Sequence, residues 1–124
     1  SLLISIAFGD IQLIIRGTIT CSRAFNYKLT LWDEDNFGHD IVAKTKTESS
    51  INTSAPYVLT GMADDGYLDK TVEPVMVIEH TCAKDKLSSC ACHILGNISK
   101  DHEATVDVDL ESGKLAYCKM CKDA

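Results

Sequence analysis

The sequence predicts an all-β chain folded as a sandwich, and three observations carry that prediction. β-Branched and aromatic residues gather in short runs, Gly-containing turn triplets separate those runs, and segments of helical period are scarce. The chain has 124 residues, with 45% hydrophobic and 24% charged side chains, the composition of one folded domain rather than a disordered segment. The single domain is expected to cover residues 1–124, with residues 1–10 as a peripheral N-terminal strand.

Leu2 to Phe8 (LLISIAF) is apolar but far too short to cross a bilayer core of about 30 Å. It reads as a first strand or the remnant of a signal sequence. Ile11 to Thr20 (IQLIIRGTIT) is a strand with Gly17 as a bulge or a point of close approach. Tyr27 to Trp32 alternates, with Tyr27, Leu29 and Leu31 on one face and Lys28, Thr30 and Trp32 on the other. Ile41 to Glu48, Tyr57 to Thr60, Val75 to His80, Ala104 to Leu110 and Leu115 to Lys119 complete the strand set, with one short helical turn expected near Asp64 to Lys70. Asn36-Phe37-Gly38, Asp64-Asp65-Gly66 and Glu111-Ser112-Gly113 supply turns, the last as a hairpin joining the two final runs.

Twelve Lys+Arg against eighteen Asp+Glu leave a net charge of −6. That field repels phosphate backbones, so no nucleic acid partner is expected. Six cysteines, Cys21, Cys82, Cys90, Cys92, Cys118 and Cys121, are even in number and suit disulfides in an oxidising compartment. Cys90 and Cys92, if in a strand, share a face and should find separate partners. A bridge from Cys82 to Cys90 or Cys92 would close a local loop, and one from Cys21 to Cys118 or Cys121 would span most of the chain. Zinc at Cys90-x-Cys92-His93 and Cys118-x-x-Cys121 is the competing reading, and a redox-active C-x-x-C is a third.

Asp33, Asp35 and Asp40 crowd one acidic stretch that could hold a hard cation, although its spacing is not that of an EF-hand. Asn52-Thr53-Ser54 and Asn97-Ile98-Ser99 are acceptor triplets for N-glycosylation. His39, His80, His93 and His102 are scattered, and no nucleophile elbow, H-E-x-x-H, P-loop or dinucleotide turn occurs. No catalytic residues, cofactor or resident metal are therefore expected, and the chain is not expected to be an enzyme.

The order of IIRGTITC (Ile14 to Cys21), KLTLWDED (Lys28 to Asp35), AKTKTESS (Ala43 to Ser50) and EPVMVIEHTC (Glu73 to Cys82), followed by Cys90 and Cys92, resembles the nematode transthyretin-like family. In that family an R-G-x-L-x-C strand, an L-W-D-x-D strand end and a P-Y-L-x-I-x-H-x-C segment occur in the same order. The resemblance covers Ile11 to Ile94 well and the C-terminus loosely. This chain departs from the pattern in an insertion around Ile51 to Ala55, in the second cysteine of Cys90-Ala91-Cys92, and in Cys118-x-x-Cys121. It also lacks the Tyr-Arg-Gly-Ser end of the related hydroxyisourate hydrolases.

The resemblance implies a secreted, disulfide-bonded, transthyretin-like antiparallel β-sandwich of about seven or eight strands. It further implies an extracellular adaptor that binds phosphatidylserine on apoptotic cells and presents them to an engulfment receptor on the phagocyte. The candidate lipid or cation contacts are Lys84 and Lys86 in AKDKLSS, the basic Lys114, Lys119 and Lys122, and the acidic Asp33, Asp35 and Asp40. The alternative is an extracellular carrier of a small hydrophobic ligand. An apolar N-terminal stretch at Ser1 to Phe8 makes a homodimer an expectation as well.

Overall fold

A computed structural model describes residues 10–35, 38–45, 47–64, 71–83 and 89–122. Nine strands are described: β1 (Asp10–Thr20), β2 (Phe25–Asp35), β3 (Gly38–Lys44), β4 (Glu48–Ser50), β5 (Ser54–Asp64), β6 (Pro74–His80), β7 (Cys90–Ile94), β8 (His102–Thr105) and β9 (Val108–Asp109). They form two sheets, the first in order β5-β1-β8 with β9 also on β1, the second in order β3-β2-β6-β7 with β4 also on β2. The protein is a disulfide-bonded all-β sandwich.

Alternation dictates the packing. Ile11, Leu13, Ile15 and Ile19 of β1, with Tyr57 and Leu59 of β5, turn inward from the first sheet and are buried. Tyr27, Leu29 and Leu31 of β2, with Met76 and Ile78 of β6, face them from the second. This is the face predicted for β2. Gly17 lies opposite Tyr57 in the β1–β5 ladder, and an added Cβ would sit 2.0 Å from the Val106 carbonyl oxygen. The expected point of close approach is therefore real. Tyr57 completes it by donating its hydroxyl to the same Val106 oxygen at 2.6 Å.

Several expectations are corrected. Ile41 to Glu48 is not one strand: β3 ends at Lys44, and β4 begins at Glu48 on a different stretch of β2. Ala104 to Leu110 is likewise divided into β8 and β9, because Val106 leaves the strand line to approach Gly17. Both of these pair with β1 in parallel, in contrast to the antiparallel pairings of β1 with β5 and of β2 with β3, β4 and β6. Leu115 to Lys119 is not a strand. Ala116 makes one isolated bridge to Cys92, and Lys119–Lys122 is a turn of 3-10 helix. Gly113 does adopt a positive φ of 75°, but the turn it ends leads across the second sheet instead of closing a hairpin. Leu2 to Phe8, and all but the first residue of the helical turn expected near Asp64 to Lys70, lie outside the described residues.

Three carboxylates complete the edge of β1 and of the residues just after it, where β8 and β9 leave gaps. Asp101 accepts the Gln12 N–H at 2.9 Å, Asp107 the Thr18 N–H at 2.9 Å, and Glu111 the Ser22 N–H at 2.6 Å. Backbone donors at a sheet edge are thus satisfied by side chains, which blunts edge-to-edge association there.

Candidate functional site

The six cysteines form three bridges, Cys21–Cys82, Cys90–Cys121 and Cys92–Cys118. Cys90 and Cys92 take separate partners, as their shared strand face requires. Neither of the bridges considered from the sequence, Cys82 to Cys90 or Cys92 and Cys21 to Cys118 or Cys121, is formed; Cys21 pairs with Cys82 instead. The reason is topological. Cys21 follows β1 in one sheet and Cys82 follows β6 in the other, so the bond ties the two sheets at one end of the sandwich. Arg23 reinforces that end by donating to the Cys82 carbonyl, and Thr81 N–H donates to the Asn26 carbonyl at 3.0 Å.

The other two bridges build a feature that strand patterning did not reveal. Residues 115–122 form a strap across the outer face of the second sheet, held to β7 by both disulfides and by the Cys92 N–H donating to the Ala116 carbonyl at 2.9 Å. Met120, 2% exposed, packs there with Trp32, Val75, Val77 and Cys90 in a second apolar cluster. Outside the cluster the Lys119 ammonium meets a Glu34 carboxylate oxygen at 2.7 Å, and that contact holds the Lys119 pKa above its ordinary value. The strap explains why Pro74–His80 is buried at every position except Glu79, which is partly exposed. The signal was present in the sequence as Val75 and Val77 alternating with Met76 and Ile78, a doubly apolar strand that needs cover on both sides.

A surface cleft of about 440 Å³ opens beside the strap, between the ends of β2 and β6. Lys28, Glu79, His80, Ser89, Tyr117 and Cys121 are among its lining residues. One Glu79 oxygen, Oε2, is buried with no hydrogen-bond partner among the described residues. His80 is buried, and its Nδ1 accepts the Cys82 N–H at 3.1 Å.

On the opposite side of the molecule the outer face of the first sheet is uncovered by any described segment. Val58 and Met62 of β5 are 59% and 54% exposed there, beside an Arg16–Glu103 ion pair of 2.6 Å.

The remaining candidates divide clearly. Asp33 is only 9% exposed, and its Oδ1 accepts the Glu73 N–H at 3.0 Å. It is a structural carboxylate rather than part of an exposed acidic loop. Asp35 pairs with Gly38 and Asp40 with Asp33 at the end of the β2–β3 ladder where the two strands are joined, and the side chains of Asp35 and Asp40 lie outside what is described. Lys84 and Lys86 lie outside the described residues altogether. Asn52 and Asn97 are both exposed, Asn52 in the turn between β4 and β5 and Asn97 between β7 and β8.

Fold and site together define a class: a disulfide-bonded β-sandwich with one outer face strapped and the other bare. No family model matches the chain, and no curated protein is similar to it.

Proposed function

We propose that this protein is a secreted extracellular adaptor of the transthyretin-like type, which binds phosphatidylserine on apoptotic cells with one region and an engulfment receptor with another. The observation that carries the two-region reading is the asymmetry of the outer faces. The strap seals one, while the other, uncovered by any described segment, presents Val58 and Met62 on its edge strand β5. Half-exposed apolar side chains among polar ones are what a protein-binding patch offers. That face is assigned to the receptor.

The lipid contact is assigned to the segment between Cys82 and Ser89, which carries Lys84 and Lys86. With an overall charge of −6, attraction to an anionic head group must be local. The carrier alternative has less support. The cleft beside the strap has the volume of a small-ligand site, but Lys28, Glu79 and Ser89 make it a poor seat for a hydrophobic molecule.

Sedimentation with phosphatidylserine vesicles and with phosphatidylcholine vesicles tests the lipid half. Binding only to the former is expected, weakened by Lys84→Glu with Lys86→Glu. Equal binding to both, or to neither, removes that half. Val58→Asp with Met62→Asp is expected to leave vesicle binding intact while abolishing capture on phagocytes. Loss of both activities together would contradict the assignment of two separate regions.

A further inference from the structure

The four cysteines that hold the strap also form one compact group of sulfurs. Cys92, Cys118 and Cys121 place their Sγ atoms within 4.8 Å of one another, and the fourth sulfur, that of Cys90, is bonded to Cys121. The two disulfides touch: Cys92 Sγ and Cys121 Sγ, which belong to different bridges, are 3.7 Å apart. In a tetrahedral zinc thiolate with Zn–S near 2.3 Å, neighbouring sulfurs are about 3.8 Å apart. This unbonded pair already has the edge length of such a tetrahedron.

The backbone is compatible with the same geometry. Cys90 and Cys92 project from one face of β7, and Cys118 and Cys121 close a turn in which the Cys121 N–H donates to the Cys118 carbonyl at 3.0 Å. Across each bridge the Cα atoms are 6.1 Å and 6.0 Å apart, so rotation about the side-chain bonds is enough to spread the bonded sulfurs. Trp32, Val75, Val77 and Met120 surround the group with apolar contacts. Such a shell limits water access to a metal and strengthens its bonds to thiolate. The third bridge offers no equivalent. Among the described residues its neighbouring ligand is Glu111, which already accepts from the Ser22 amide and hydroxyl.

We infer that Cys90, Cys92, Cys118 and Cys121 are a site with two alternative occupants: two disulfides when oxidised, and one zinc ion held by four thiolates when reduced. The conversion balances simply. A thiol or phosphine reductant supplies two electrons to each bridge, two protons are taken up with them, and zinc then displaces the four thiol protons. Either occupant pins the strap to β7 and keeps Trp32 covered. The strap is therefore retained in oxidising and reducing compartments alike.

The test uses the full chain, reduced with a phosphine without denaturant, freed of the phosphine and titrated anaerobically with zinc or with cobalt(II) as a spectroscopic probe. One zinc per chain is expected, with cobalt giving the ligand-field and charge-transfer bands of a tetrahedral thiolate site. Trp32 is the chain's single tryptophan, and its emission should match that of the oxidised protein once zinc is bound. Cys118→Ser with Cys121→Ser should abolish the cobalt bands, whereas Cys21→Ala with Cys82→Ala should leave them and the stoichiometry unchanged. Absence of thiolate bands, bands that survive loss of Cys118 and Cys121, or zinc that fails to restore the Trp32 emission would each overturn the inference.

Discussion

Tyr57 shows how much of the fold can depend on one side chain meeting one missing side chain. It lies opposite Gly17 in the β1–β5 ladder, and its hydroxyl caps the carbonyl of Val106, which closes over Gly17 between β8 and β9. Burial pushes its pKa up to about 12, and the nearby Asp107 carboxylate adds to the shift. In the unfolded chain the same phenol titrates near 10. The folded state thus retains a proton that the unfolded state releases. The contribution of this group to stability is complete below pH 10 and is lost as the pH rises from 10 through 12. Thermal unfolding followed across that range should show a fall in midpoint that Tyr57→Phe reduces. An identical fall in both chains would assign the alkaline sensitivity elsewhere. Gly17 was legible in the sequence as a point of close approach, because a glycine in a β-branched run needs a reason. What approaches it was not, since Val106 lies 89 residues away.

The strap is where local patterning gave least warning. Leu115 to Lys119 has the composition of a strand, yet it meets the edge strand β7 at a single bridge and pairs no further. Its one bridge, at Ala116, lets the remainder turn so that Met120 enters the apolar ground between Trp32, Val75 and Val77. The hydrophobic code of β6 was readable in retrospect, since Pro74 to Ile78 is apolar on both faces. The missing information was which segment would cover it. Cysteine spacing narrowed the answer, because Cys90 and Cys92 could not satisfy each other. Met120→Ala should cost about 4 kcal/mol, toward the upper end for emptying a buried methionine site, because the disulfides on either side keep the strap from collapsing into the cavity. Urea unfolding followed by Trp32 fluorescence measures this, and the same variant should increase quenching of Trp32 by iodide. No change in either quantity would mean that the disulfides alone seat the strap.

At the scale of the whole molecule, the all-β class, the inward face of β2, and the presence of bridges were all legible in the sequence. The parallel pairing and the Cys21–Cys82 connection were not, because both join segments whose order along the chain says nothing about their separation in space. That bond links the two sheets and closes a span of 61 residues. On the chain-entropy account it restricts the unfolded state by about 4 kcal/mol. Cys21→Ala with Cys82→Ala should therefore lower the urea midpoint strongly while leaving the strap's two bridges intact by mass spectrometry; a midpoint shift of only a few tenths of a molar would show that burial alone holds the sheets together. The parallel placement of β8 and β9 also sets an order of events during synthesis. β1 can pair with β5 as soon as Ser54 to Asp64 has emerged, but its other edge has no partner until residues 101–111 follow. For roughly the time needed to translate about 40 more residues, a few seconds at typical rates, the growing chain carries an open strand edge that the finished protein conceals. The acidic side chains of Asp101, Asp107 and Glu111 are the last groups to close it, so exposure to self-association through this edge is greatest in the interval before they arrive.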